Sequence, residues 1–196
     1  MANLWFISDT HFSHKNSWEK FKLEDGSPLR PFSSNEEMDE TMVQRWNEVV
    51  RPNDHVYHLG DVVISKKAVQ IVKRLNGHKR LVRGNHDIFS DDLYREVGFE
   101  KIYGVRVFVN KFILSHVPLH PYSVSERFRV NVHGHTHANR VLLPDGSIDP
   151  RYFSVCVEQI DYRPISEYDL LNRIQKQFDE CGYEPPKSWG NGPSPN

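Results

Sequence analysis

The chain has 196 residues, 38% of them hydrophobic, and a formal net charge of −1, which suits one domain with a sizeable core. That balance excludes a bulk electrostatic pull toward long nucleic acid or an anionic membrane. The segment from Met1 to Ile7 has neither a basic stretch nor a long apolar run, which argues against a signal peptide or a membrane span. Cys156 and Cys181 lack metal-type spacing and read as free thiols of a reducing cytosol, although counting alone leaves one disulfide open. A cytoplasmic location is expected.

Leu4 to Ile7 is a compact apolar run, predicted as a buried strand that stops at Ser8-Asp9. Residues 15–33 carry Gly26, Pro28 and Pro31 among charges and aromatics and read as a loop or small excursion. Ser34 opens a helix, with Glu37 three residues later completing a capping box. Met38, Met42, Val43, Trp46 and Val49 form its apolar stripe, and Pro52 ends it. His55 to Leu59 is a second strand, ending at Gly60-Asp61. Lys67 to Leu75 is predicted as a helix closed by Asn76-Gly77, and Lys79 to Val82 as a third strand ending at Gly84-Asn85-His86.

Val105 to Val109 and Phe112 to Leu114, joined by Asn110-Lys111, read as a hairpin running into Ser115-His116. Asn131 to His133 is a further strand before Gly134. Phe153 to Glu158 is predicted as the last strand, after a turn at Pro144-Asp145-Gly146. Ser166 begins a C-terminal helix running through Phe178, with a stripe of Leu170, Leu171, Ile174 and Phe178. Residues 1–181 are taken as a single domain, and the Pro-, Gly- and Ser-rich segment 182–196 as a mobile tail.

Alternating strands and helices indicate an α/β domain. Five motifs fall just past predicted strand ends, the edge at which open α/β sheets bind ligands. In order they are Asp9-Thr10-His11, Gly60-Asp61, Gly84-Asn85-His86-Asp87, Ser115-His116 and Gly134-His135-Thr136-His137. Together they carry enough hard oxygen and imidazole donors for two divalent ions ~3.5–4 Å apart, an arrangement suited to in-line displacement at phosphorus. Mixed imidazole and carboxylate donors suit Mn, Fe, Zn, Ni or Co, whereas an all-oxygen set favours Mg or Ca.

In their order the five motifs resemble the calcineurin-like metallophosphoesterase superfamily, whose pattern runs D-x-H, G-D, G-N-H-[DE], H, G-H-x-H; the match spans residues 9–137. The resemblance implies a four-layer αββα sandwich, two mixed β-sheets flanked by helices, with a dimetal site at the strand ends. It implies that Asp9, His11 and His137 hold one metal, that Asn85, His116 and His135 hold the other, and that Asp61 bridges them. Two divalent ions, with Mn favoured, are the implied cofactors. His86 is then the catalytic group that stabilises the transition state or protonates the leaving alkoxide, with Asp87 or Asp61 orienting its imidazole. The nucleophile on this reading is a water held between the metals that has lost its proton.

Asp61 is followed by Val62-Val63-Ile64-Ser65-Lys66, not the x-V-D-R-G of protein Ser/Thr phosphatases, and the third motif ends in Asp87 rather than Glu. The chain instead resembles small, capless bacterial and phage-type phosphoesterases with D-T-H-F-x-H, here Asp9 to His14, many of which act on phosphodiesters. The expected activity is hydrolysis of a small or nucleotide-like phosphodiester, without membrane association or stable binding to long nucleic acid. The alternatives are a phosphomonoesterase, either nucleotidase or protein phosphatase, and a non-catalytic protein-binding scaffold; an intact ligand set and His86 argue against the scaffold.

Several residues keep two readings. Arg83 is either a phosphate contact or an exposed strand-end arginine. The cations Lys66, Lys67, Lys73, Arg74, Lys79, Arg80 and Arg83 either steer an anion or form a solvated face, the second being favoured. Trp18, Phe21 and Phe32 either stack on a base or anchor their loop. His58 and His133 read as packing residues or as supports behind the ligands and His78 as a surface turn, while His14 and His120 either reach substrate or play no part in the site.

Overall fold

The structure is a computed structural model and describes residues 2–108, 111–125 and 128–185. Strands β1 (Leu4–Ile7), β2 (His55–His58), β3 (His78–Val82) and β4 (Phe99–Tyr103) run parallel, in the spatial order β4-β3-β2-β1. Strand β5 (Val105–Phe108) pairs antiparallel with β6 (Phe112–Ser115), beside which β7 (Asn131–His133) and β8 (Tyr152–Ser154) lie parallel. A two-residue strand β9 (Ile165–Ser166) completes the first sheet, antiparallel to β1. Both sheets are therefore mixed, as the resemblance implied.

The period of two along each strand builds the core. Tyr57 of β2 turns to the inner face, where its ring meets Phe6 of β1 at 6.1 Å and Phe108 of β5 at 5.3 Å. Phe6 also meets Phe112 of β6 edge-on at 5.4 Å, so aromatic rings fill the space between the two sheets. The next residue, His58, points to the outer face and lies flat on Trp46, 6.4 Å away. Trp46 belongs to α2 (Asn35–Val49), which follows the four-residue α1 (Asn16–Glu19). The apolar stripe of α2 buries Met38, Met42, Val43 and Trp46.

Two short helices, α3 (Asp91–Glu96) and α4 (Pro121–Ser125), precede α5 (Glu167–Cys181), which buries Leu170, Ile174 and Phe178. Gln177 of α5 donates to the carbonyl oxygens of Pro150 and Tyr152, tying that helix to the β8 edge of the second sheet. No helix among the described residues is long and apolar enough to cross a membrane.

Four departures from the sequence reading have a local physical cause. At the start of α2, Ser34 accepts from the Glu37 amide at 3.0 Å, but the Glu37 carboxylate reaches Ser33 rather than closing the box on Ser34. The helix expected over 67–75 is a 3₁₀ helix, Ala68–Arg74, whose buried Val69 and Val72 stand three residues apart, the eclipsed spacing of that helix. Strand β4 was not foreseen, because a Glu100-Lys101 pair interrupts its apolar pattern; it lies at a sheet edge, where charge is tolerated.

The fourth departure shapes the site. The strand expected over 153–158 stops at Ser154, because Val155 and Val157 hydrogen-bond across Ser8 of the first sheet, and Val157–Gln159 turns into a 3₁₀ helix. That crossing carries Glu158 toward the ends of β1 and β7. Cys156 and Cys181 are both free. Gly182 caps α5 in the left-handed region and Tyr183 packs on Phe178 at 5.2 Å; residues 186–196 of the expected tail, like Val109 and Asn110 of the expected hairpin, lie outside the described residues.

Candidate metal centre

Because β1, β2 and β3 run parallel, and β6 and β7 do likewise in the second sheet, the five motif loops leave from one edge. They are laced together by main-chain bonds. The Asp9 amide donates to Gly60, that of His11 to Asp61 and that of Gly134 to His116, at 2.9 to 3.0 Å. Asp9, His11, Asp61, His135 and His137 all hold a left-handed backbone, with φ between 45° and 69°. Non-glycine residues adopt it at a cost of about 1–3 kcal/mol each, and such outliers concentrate at functional sites.

Close approach does the rest. Gly60 has φ +94°, and a Cβ there would lie 2.5 Å from the Gly84 nitrogen; one at Gly134 would lie 2.5 Å from Asp9 Oδ2. Gly60→Ala is therefore expected to force the Asp61 and Asn85 loops apart and lower the melting temperature. An unchanged melting curve and unchanged metal binding would contradict that packing.

Two groups of donor atoms result, each drawn together within 4.8 Å: Asp9, His11 and His137 in one, Asp61, His116 and His135 in the other. Asn85 joins the second, its Oδ1 lying 2.9 Å from His116 Nε2 and 3.0 Å from His135 Nδ1. Asp61 Oδ2 stands between the groups, 3.5 Å from His11 Nε2 and 3.4 Å from His116 Nε2. Its other oxygen accepts the His86 amide at 2.9 Å. All seven residues expected to hold metal thus converge, in the expected two groups.

The donor chemistry fits a pair of divalent cations. Asp9 Oδ1 is buried without a hydrogen-bond partner among the described residues, 3.8 Å from His11 Nε2 and 3.9 Å from His137 Nε2. Such an orphaned oxygen is costly unless a cation satisfies it. Burial pushes the Asp9 carboxyl up and the His11 imidazole well down, so His11 is neutral and able to ligate. Burial also opposes the charge on Asp61, but the hydrogen bond and charge of His116 and the His86 amide outweigh it and hold the carboxyl at about 2.

A second layer fixes the imidazoles. His137 Nδ1 donates to Glu158 at 2.9 Å and His116 Nδ1 to the Leu59 carbonyl at 2.8 Å, which fixes a proton on Nδ1 and makes Nε2 the atom each ring would offer to a metal. Glu158 is held in turn by Arg30, which is 0% exposed. The same guanidinium donates to the carbonyls of Asp9 at 2.5 Å and Thr10 at 2.8 Å, clamping the strained loop. Neither Arg30 nor Glu158 was found from the sequence; they lie 128 residues apart. Glu158→Gln is expected to weaken Mn²⁺ binding about 10- to 100-fold, measured calorimetrically. Unaltered affinity would remove Glu158 from that role.

The remaining expectations divide. Asp87 does not orient His86. Its carboxylate is buried and accepts the amides of Asp61 and Gly84 at Oδ2, and of Val62 with the Tyr94 hydroxyl at Oδ1, so it braces two ligand loops instead. Arg83 donates to the carbonyls of Asp87 and Phe89 and pairs with Asp91, a structural commitment rather than a phosphate contact. His86 is exposed, its ring centroid 5.6 Å from that of His11. His58 and His133 are packed and neutral, burial lowering them to about 3 and about 4.

Most of the basic run is committed to partners within the fold. Lys73 pairs with Glu96 and Arg74 with Glu40, Lys79 donates to the Leu75 and Gly77 carbonyls, and Arg80 covers the Tyr57 ring. Of the three aromatics, Trp18 donates to Asn35 and Phe32 packs edge-on against Tyr162, while Phe21 stays 45% exposed.

Comparison with known proteins agrees with this geometry. The chain is 36% identical over 181 residues to an uncharacterised protein of Methanocaldococcus jannaschii, covering 90% of this chain and 93% of that one. It is 30% identical to the gene 66 protein of Mycobacterium phage L5, covering 90% and 98%. A crystal structure of a protein of unknown function from Aquifex aeolicus superposes with a TM-score of 0.63 at 28% identity, covering 87% of this chain and 98% of that one. The family model described as the calcineurin-like phosphoesterase superfamily domain matches residues 3–147, so the chain belongs to that superfamily.

Proposed function

We propose that this protein is a dimetal phosphodiesterase, with Mn²⁺ the favoured ion. Asp9, His11 and His137 would hold one ion and Asn85, His116 and His135 the other, with Asp61 between them, consistent with the two donor groups and the position of Asp61. When bound, such ions acidify water toward neutrality and offset negative charge growing at phosphorus. The residues of the chain supply the remainder. Glu158 and the Leu59 carbonyl aim the His137 and His116 lone pairs inward. His86, anchored through its amide to Asp61 and exposed at its ring, donates a proton to the departing alkoxide.

The observation that carries the diester assignment is room beside the ligands. His86 stands exposed next to His11, and a groove of about 740 Å³ leaves from His135 and His137. A diester needs space for two ester groups. A monoester dianion instead brings additional charge, and the arginines nearest the ligands, Arg30 and Arg83, are already committed to carbonyls and carboxylates.

The test is hydrolysis of bis-p-nitrophenyl phosphate beside p-nitrophenyl phosphate, using chelator-stripped protein resupplied with Mn²⁺. Faster turnover of the diester is expected. Faster turnover of the monoester would overturn the reading in favour of a phosphatase. No turnover with Mn²⁺, Ni²⁺, Co²⁺ or Zn²⁺ would favour a binding scaffold.

A further inference from the structure

The groove beside the ligands has a built wall. Residues 21–29 form a small hairpin, with Leu29 donating to the Phe21 carbonyl at 2.9 Å, Leu23 to that of Ser27 at 2.8 Å, and Lys22 bridged to Pro28. Asp25 accepts from the Ser27 amide and hydroxyl and closes its turn. The hairpin ends at Arg30, whose guanidinium grips the Asp9 and Thr10 carbonyls. The wall is therefore registered to the metal-ligand loop by a buried residue rather than hanging free of it.

Its surface is chemically mixed. Phe21, Leu23, Leu29 and Ala138 give an apolar lining, and Lys20 and Lys22, which have no ion pair among the described residues, outnumber the one carboxylate of the lining, Glu24. Phe21 is 45% exposed and is linked to the ligands by neighbouring rings: its ring lies 5.9 Å from that of His14, which lies 5.6 Å from that of His11. The His14 imidazole is half-buried, and its Nδ1 has no partner among the described residues. An exposed aromatic face one residue from two unpaired lysines, two ring steps from a phosphoryl-transfer site, matches a base flanked by phosphate.

We propose that this groove binds a nucleoside on the non-leaving side of the scissile diester, with the base against Phe21 and a flanking phosphate near Lys20 and Lys22. The substrate class is then a nucleotide phosphodiester bearing a further phosphate, as in a short single strand. This rests on the diesterase reading and deepens it.

The test holds the leaving group constant. Methyl p-nitrophenyl phosphate, thymidine 5′-(p-nitrophenyl phosphate) and its 3′-phosphorylated form all release p-nitrophenolate, and kcat/KM with Mn²⁺ is compared for the parent and two variants. The nucleoside ester is expected to exceed the methyl ester, and Phe21→Ala to shrink that ratio about tenfold, the scale of one lost base stack. Lys20→Ala with Lys22→Ala is expected to remove the advantage of the 3′-phosphate and flatten its dependence on salt. Calorimetric binding of thymidine 3′,5′-bisphosphate is expected to weaken in both variants. A ratio and binding unchanged by Phe21→Ala would overturn the subsite while leaving the diesterase intact. Cleavage of none of the three esters would overturn both.

Discussion

Asp61→Asn is expected to bind less than one Mn²⁺ per chain and to lose diesterase activity by at least about 10³-fold, a loss of ~4 kcal/mol in transition-state stabilisation. Asp61 Oδ2 lies within 3.5 Å of an imidazole from each donor group, so removing its charge weakens both positions together. The substitution is conservative in shape. Asparagine accepts a left-handed backbone such as the φ of 58° found here, and its carbonyl oxygen can still accept the His86 amide. Loss of metal would therefore report charge rather than collapse of the loop, which circular dichroism can verify. Parental metal content in the variant would remove Asp61 from the bridging position.

His86→Ala is expected to keep both metals and to lose about 10²- to 10³-fold in kcat on a nucleoside leaving group. Its ring is exposed and touches the ligands only at the edge of His11, while its hydrogen bond to Asp61 runs through the main chain, so truncation leaves the donor groups in place. The loss should be smaller on p-nitrophenyl esters, whose leaving group departs without a proton. That difference separates a proton donor from a group that merely stabilises charge, which would affect both substrates alike. Equal kcat in variant and parent on the nucleoside leaving group would contradict the assignment.

Much of this site is legible in the sequence, because parallel strands deliver their C-terminal loops to one edge and hard donors cluster there. Leu4 to Ile7 and Asn131 to His133 read as strands over the limits they take in the fold, and Ser166 caps α5 through the Asp169 amide as its position suggested. Periodicity serves less well where pairing is set from outside the segment. Val155 to Val157 carries an apolar pattern, yet bonds to Ser8 of the other sheet bend it out of its strand. Two-residue β9 leaves no pattern to read at all.

The second layer was hidden for a related reason. Arg30 falls after a polar hairpin and Glu158 at the end of the strand expected over 153–158, and nothing local signals that they meet. Their pairing depends on the fold bringing the 21–29 hairpin and the β8 crossing to the same side of β1. Asp87 shows the opposite error. Adjacency to His86 suggested that it orients the imidazole, but its four hydrogen-bond donors come from Asp61, Val62, Gly84 and Tyr94, a brace that only the folded loops reveal.

If two divalent ions at the Asp9 and Asp61 groups drive diester hydrolysis, as proposed, bound metal and activity rise together. The most direct measurement is a Mn²⁺ titration of chelator-stripped protein, following bound metal by calorimetry and bis-p-nitrophenyl phosphate hydrolysis in the same samples. Two equivalents are expected to bind, one for each donor group, with hydrolysis absent at the start and reaching its plateau as the second is filled. Hydrolysis that persists in the stripped protein, or a plateau reached without bound Mn²⁺, would contradict it.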